Sequence, residues 1–290
     1  MRPPAGPSPF GRIGIVGLGL IGGSVAAATR AAWPDVEVIA LDRPDVLAEA
    51  EARSIVQRRA RSLDEFAGVD LLVLATPVPE IINQLPAVAR IAGRAVVTDV
   101  GSTKRSILRA AGQTNLTRFI GGHPVAGRER SGLGHAGADL FDRQPWLFVP
   151  GLSPDEGSLQ RLETFVRGFG AEPHRMDAET HDKTMAYVSH LPQLLAVALM
   201  NTAGAAVGEA GLSLSGRAFG EMTRLAASPA EMWEGILATN ADYVAEAAVA
   251  MANELPTREA RLGVAQWVER TFQQAGEWRQ RLAHARPETR

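Results

Sequence analysis

Gly17-Leu18-Gly19-Leu20-Ile21-Gly22 is the densest chemical signal in the chain. Placed between a strand and a helix, such a run lets the backbone turn tightly at Gly17, approach a pyrophosphate at Gly19 and pack helix against sheet at Gly22. The helix N-terminus adds N–H donors and the positive end of its dipole. Asp42 lies twenty residues beyond Gly22. A carboxylate there accepts hydrogen bonds from the adenosine ribose and repels a 2′-phosphate, which favours NAD over NADP. Arg43 beside it could instead pair with a 2′-phosphate. Thr76-Pro77 and Gly101-Ser102 follow later strand-like runs, and loops at the carboxyl ends of parallel strands face a cofactor crevice.

Other chemistries are excluded by residue type. With no cysteine among 290 residues, disulfides, thiolate metal sites and cysteine nucleophiles are ruled out. Lys104 and Lys183 are the only lysines, so lysine chemistry has two candidates. His123, His181 and His190 lack carboxylates at ligand spacing, and no metal is expected. A net charge of −2 gives no bulk positive field for nucleic acid or an anionic membrane.

The elements that must position these residues follow from periodicity. Strands are predicted at 12–16, 36–41, 70–75, 95–99, 146–149 and 171–175, alternating with helices at 20–32, 45–53, 80–91, 104–111 and 154–169. That alternation is the signature of βαβ units. Beyond residue 176 the strand signals stop, and helices are predicted at 178–188, 191–206, 229–255 and 257–284. The expected architecture is α/β: an N-terminal Rossmann-type doubly wound parallel sheet over 11–175, followed by an all-α C-terminal domain for substrate and dimerisation over 176–290. The run 184–208 has no Asp, Glu, Lys or Arg, yet Ser189, Pro192, Gln193, Asn201 and Thr202 suit a buried helix or subunit interface better than hydrocarbon. Residues 1–10 are Pro-rich without an apolar core, so no secretory signal is expected and the protein is placed in the cytoplasm.

Several segments carry more than periodicity. Asp99-Val100-Gly101-Ser102-Thr103-Lys104 precedes Gly121-Gly122-His123-Pro124-Val125-Ala126-Gly127-Arg128-Glu129-Arg130-Ser131-Gly132. Then come His181-Asp182, Ser189-His190-Leu191-Pro192-Gln193, Phe219-Gly220-Glu221-Met222-Thr223-Arg224 and Met232-Trp233. In this order, with GLGLIGGS at the start, the chain resembles the prephenate/arogenate dehydrogenase (TyrA) family over residues 11–280. The motifs occupy nearly the whole length, so neither a fused chorismate mutase nor a regulatory ACT domain is expected within these residues.

The resemblance implies NAD-dependent oxidative decarboxylation of prephenate to 4-hydroxyphenylpyruvate, or of arogenate to tyrosine. It makes His123 the base near the ring hydroxyl, with Ser102 bonding the same hydroxyl or orienting His123. Arg224 would clamp the side-chain carboxylate, a task suited to a guanidinium fork. His190 and Gln193, three apart, share one helical face toward substrate; the family often has a second histidine where this chain has Gln193. Glu129 would order the pocket or face solvent, and Trp233 would pack at the pocket wall. Lys104, opening a helix, is expected on its surface, the alternative being an approach to the nicotinamide ribose or the substrate carboxylate, and His181-Asp182 either caps a helix or lines the substrate channel. The family's homodimers imply pairing through the helical domain. Two other readings compete: a β-hydroxyacid dehydrogenase using Lys183, which lacks the surrounding motif, and an NAD-binding sensor without catalysis.

Overall fold

Strand β1 (Arg12–Val16) is third from one edge of an eight-stranded sheet ordered β3-β2-β1-β4-β5-β6-β7-β8. The other strands are β2 (Glu37–Leu41), β3 (Arg58–Arg59), β4 (Leu71–Leu74), β5 (Val96–Asp99), β6 (Phe119–Pro124), β7 (Pro145–Pro150) and β8 (Glu172–Arg175). The computed structural model describes residues 6–128, 130–151, 155–255 and 264–285. β1 to β6 are mutually parallel, in the order of a dinucleotide-binding sheet. The sheet is not parallel throughout: β7 pairs antiparallel to β6, and β8 parallel to β7. The chain reaches β7 through a loop without a crossover helix of its own, so β7 returns alongside β6 in the opposite direction.

Helices α1 (Leu20–Ala32), α2 (Pro44–Ala52), α3 (Val78–Ile91), α4 (Arg105–Gly112) and α5 (Glu156–Arg167) cover both faces. Because side chains alternate along a strand, Ile13, Ile15, Leu71 and Val73 enter one apolar core with Val25 of α1 and Leu162 of α5. Val16, Leu72 and Leu74 enter the other, with Ile81 and Leu85 of α3 and Ile107 of α4. Trp33 stacks on Phe165 at 5.5 Å and Phe165 meets Phe169 edge-on at 4.6 Å, closing the first core with aromatic pairs.

Two strands went unpredicted. β3 is only two residues long, and β6 contains Gly121-Gly122 and ends at Pro124, residues that read as a turn. Pairing on both sides, with β5 and β7, makes the segment a strand.

After β8 the described residues form helices: α6 (Ala178–Met185), a π-helical turn (Ala186–His190), α7 (Leu191–Leu212), α8 (Arg217–Thr223), α9 (Ala230–Thr239), α10 (Ala241–Glu254) and α11 (Val264–Ala285). The predicted helix 229–255 is two helices broken at Asn240, whose φ is −134°. Part of the predicted 257–284 helix falls outside the described residues. Residues 1–244 and 245–290 form two compact units. The run Ala178–Leu212 is long and apolar enough to cross a membrane by length and composition. Its residues His181 and Asp182 are bonded to β6 and α4, as described below, which ties its start to the sheet.

Candidate active site

The dinucleotide cradle is built where β1 meets α1. Gly17 has φ +94°, and a Cβ there would lie 2.7 Å from the Ala75 carbonyl oxygen. At Gly22 a Cβ would lie 2.0 Å from the Gly17 carbonyl oxygen, so this glycine serves packing. A Cβ on Gly19 would meet nothing within 4 Å. Gly19 caps α1 without a side-chain bond, leaving open space over N–H groups that suit a phosphate. Leu18 is buried, whereas Leu20 and Ile21 are half-buried. The Leu18 N–H donates to Asp42 Oδ2 at 2.5 Å and the Arg43 N–H to Asp42 Oδ1 at 2.6 Å. The carboxylate is thus anchored to the glycine turn at the end of β2. Arg43 is exposed and reaches Asp45 at 3.5 Å. Thr76 and Pro77 lead into α3, with Thr76 Oγ1 3.2 Å from Gln84 Oε1.

A second assembly forms beyond the ends of β5 and β6. The Asp99 carboxylate accepts from the Gly101 N–H at 2.8 Å and the Gly122 N–H at 3.2 Å, and pairs with the Lys104 ammonium. Asp99 and Lys104 are both fully buried. Through the Gly122 N–H the Asp99 carboxylate joins the loop bearing Ser102 to the strand bearing His123. The two glycines of β6 make room for it: a Cβ on Gly121 would lie 3.1 Å from Lys104 Cδ, and one on Gly122 would lie 2.5 Å from the Asp99 carbonyl oxygen. Lys104, expected on a helix surface, is therefore in the interior, because a carboxylate five residues earlier neutralises it there. Burial pushes its pKa down, opposed by Asp99.

His123 is half-buried, with Nδ1 2.9 Å from His181 Nε2. His181 Nδ1 is 2.8 Å from Asp182 Oδ1. Asp182 also accepts from the backbone N–H groups of Lys104 (2.7 Å) and Arg105 (3.0 Å) and from Arg105 Nε (3.2 Å). Burial opposes ionisation of Asp182, but its bonds to His181 and these N–H groups hold its pKa below the usual carboxylate range. An ionised Asp182 is acceptor-only, so a neutral His181 carries its proton on Nδ1 and presents a bare Nε2. That Nε2 accepts from His123 Nδ1–H, which leaves His123 Nε2 as a lone pair. Burial, with the nearby His181, Lys104 and His190, holds the His123 pKa well below its ordinary value. The ring is neutral at pH 7, as a base must be.

His190 is buried at the end of the π-helical turn, a local widening that is frequent at functional sites. Its Nδ1 lies 3.3 Å from Asn240 Nδ2, which also donates to the Asp182 carbonyl oxygen at 2.8 Å. Burial pushes the His190 pKa down to about 4. Trp233 meets the His190 ring edge-on at 6.0 Å, and its indole N–H is buried without a hydrogen-bond partner among the described residues. Gln193 is buried and committed: Nε2 donates to the Leu225 carbonyl oxygen at 2.8 Å and Oε1 accepts from Ser228 Oγ at 3.3 Å. It holds the turn that follows Arg224, which is itself exposed. Ser102 is half-buried in the loop after β5. Glu129 lies outside the described residues. Among the described residues, no group of three or more His, Asp or Glu could hold a metal.

The sequence predicts no role for Asp99 or Asn240 and no partner for His181-Asp182. Asp99 at a strand end, two residues before Gly101, was the available signal. The 58-residue separation of His123 and His181 left none for their pairing.

Residues 25–174 match the family model for the prephenate dehydrogenase nucleotide-binding domain, and residues 177–267 the prephenate dehydrogenase dimerization domain. Prephenate dehydrogenase of Bacillus subtilis is 32% identical over 79% of this chain, which spans 64% of that relative's length. Prephenate dehydrogenase of A. aeolicus, solved with hydroxyphenyl propionate and NAD+, superposes with a TM-score of 0.86 at 26% identity, covering 94% of this chain and 98% of that one. Synechocystis arogenate dehydrogenase superposes with a TM-score of 0.81, also at 26% identity, covering 93% and 99%. By fold, by both matched domains and by these relatives, the chain belongs to the prephenate dehydrogenase family.

Proposed function

We propose that the chain catalyses the NAD-dependent oxidative decarboxylation of prephenate to 4-hydroxyphenylpyruvate and carbon dioxide. The observation that carries this reading is the chain of contacts from His123 through His181 to Asp182, at 2.9 and 2.8 Å, whose hydrogen-bond logic leaves His123 neutral with Nε2 bare. The open N-terminus of α1 at Gly19 and the anchored Asp42 fit a dinucleotide. Gly17–Gly22, Asp42, Thr76 and Pro77 would hold it, with Asp42 favouring NAD over NADP. When bound, NAD supplies the acceptor for the hydride from the ring carbon that bears the hydroxyl.

His123 Nε2 takes the hydroxyl proton, and Ser102 orients that hydroxyl. Arg224 binds the side-chain carboxylate, with its turn positioned by Gln193. His190 and Trp233 form the wall, and the indole N–H of Trp233, without a partner among the described residues, is a donor available to substrate. Loss of the ring carboxylate completes an aromatic ring, which supplies the driving force. Residues 11–175 then act as the cofactor domain and 176–290 as the substrate and dimerisation domain. Exposed apolar side chains on the helical run, among them Val188, Leu195 and Val207, suit burial against a second copy. The reading places this homodimer in the cytoplasm.

Arogenate is the second candidate substrate, favoured by the likeness to the Synechocystis enzyme. The test is kcat/KM for prephenate and arogenate, each with NAD and NADP. Prephenate with NAD is expected to lead; no NADH or NADPH from any pair refutes the reading. General-base loss costs roughly 10²–10⁴-fold. His123→Asn should therefore lower kcat by about that factor while leaving the NAD Kd unchanged.

A further inference from the structure

The ring oxygen of the proposed substrate begins as a hydroxyl and ends as a phenol. The proton removed from it during oxidation is borrowed and must return to the same atom. His123 is poorly suited to hold that proton: burial disfavours its charged form, and the Lys104 ammonium and two further imidazoles lie nearby. His181 is better placed. It sits 2.8 Å from an ionised carboxylate that is itself fixed by the Lys104 and Arg105 N–H groups.

We infer that His181, paired with Asp182, is the resting place of the substrate proton, and that His123 conducts it there. This rests on the reading of the chain as a prephenate dehydrogenase. In the forward step His123 Nε2 accepts the hydroxyl proton while the proton on its Nδ1 moves to His181 Nε2, across the 2.9 Å contact. The O–H bonding pair becomes the second bond of the ring C=O as the hydride leaves the ring carbon. His123 ends neutral with its proton on Nε2, and His181 becomes an imidazolium facing Asp182. When the bond to the ring carboxylate breaks, its electron pair enters the ring and carbon dioxide departs. The C=O pair returns to oxygen, which takes back its proton as both transfers reverse. No proton is gained or lost overall.

The surroundings suit storage without leakage. His181 and Asp182 are fully buried. The charges around His181 come from several elements: Asp182 on its own helix, Asp99 from the end of β5, and Lys104 and Arg105 at the start of α4. Burial lowers the His181 pKa and Lys104 adds to this, while the bond to Asp182 and the charges of Asp182 and Asp99 offset part of it; on His123 burial and its cationic or imidazole neighbours all act downward, with no such offset. His190 is the remaining titratable neighbour; with a pKa of about 4 it stays neutral near pH 7 and does not compete for the proton.

Two variants separate holding a proton from merely orienting His123. In His181→Gln the amide oxygen can still accept from His123 Nδ1–H, but the side chain cannot take a proton; His181→Leu removes both functions. ¹⁵N-histidine NMR of the free wild-type enzyme at pH 7.5 should show His123 with Nδ1 protonated and Nε2 bare. His181→Gln should keep that tautomer, and His181→Leu should lose it. With saturating NAD and prephenate, His181→Gln should lower kcat about tenfold or more at unchanged NAD Kd and melting temperature, part of the ~10²–10⁴-fold contribution of general-base catalysis. His181→Leu should lose more. Rates in H₂O/D₂O mixtures should give a bowed dependence in the wild type, for two protons in motion, and a straight one in His181→Gln. Protonation of His123 on Nε2 in the resting wild type, a straight wild-type dependence, or wild-type kcat in His181→Gln would each overturn the inference. Absence of wild-type turnover would instead overturn the assigned reaction, and the inference with it.

Discussion

Lys104→Met tests whether the buried Asp99–Lys104 pair holds the site together. Both side chains are fully shielded from water, and methionine fills most of the lysine's volume, so the change removes a charge while creating little cavity. Breaking one partner of a buried ion pair typically costs ~3–5 kcal/mol, because the remaining charge is left without its counterion. Asp99 keeps two backbone donors, the Gly101 and Gly122 N–H groups at 2.8 and 3.2 Å, which places the loss near the lower end, about 3 kcal/mol. That is a large share of a total stability of ~5–15 kcal/mol. At roughly 2–4 °C per kcal/mol for a chain of this size, the melting temperature should fall by about 6–12 °C. Urea titration and thermal melts at pH 7.5 measure both quantities. Asp99→Asn/Lys104→Met, which leaves no charge to strand, should recover part of the loss. A single-variant loss below about 1 kcal/mol, with no recovery in the double variant, would show that neither charge depends on the other.

Further outcomes follow from the structure and the proposed roles. Gly19→Ala places its methyl in open space, so the melting temperature should stay within about 2 °C while the NAD Kd rises at least roughly tenfold, as calorimetry can measure. Gly22→Ala drives a methyl into the Gly17 carbonyl and should destabilise by more than about 2 kcal/mol; equal behaviour of the two would refute the separation of ligand and packing roles. Acid should destabilise the fold below pH 6.5, because His123, His181 and His190 bind protons less readily when folded than when unfolded. For His190, lowered from 6.5 to about 4, linkage amounts to ~1.4 kcal/mol per pH unit, or ~2 kcal/mol lost by pH 5. Urea titrations at pH 7.5 and 5 that agree within about 1 kcal/mol would contradict the burial of these rings in neutral form. Arg224→Ala should raise the KM for prephenate about tenfold or more with a smaller change in kcat; an unchanged KM would remove the clamp.

Local features in the sequence were enough for part of this protein. The glycine run, the carboxylate at Asp42 and the alternation of apolar strands with helices are decided within a few residues, by backbone freedom and side-chain period, and the first five helices and most strands follow from them. His123 and Ser102 could be singled out because their motifs are contiguous. Tertiary structure decided the rest, since it depends on partners distant in the chain. The segment Gly121–Pro124 is a strand only because β5 and β7 flank it, and its glycines are required by Lys104 and the Asp99 carbonyl pressing on them. Lys104 is interior because Asp99 neutralises it. The helix predicted through Asn240 breaks where the Asn240 side chain bonds the Asp182 carbonyl and the Arg105 guanidinium. Above all, which nitrogen of His123 carries the proton is set by Asp182 acting through His181. Hydrogen-bond direction passes between side chains in contact, and contact between residues 123 and 181 exists only once the sheet and α6 have come together.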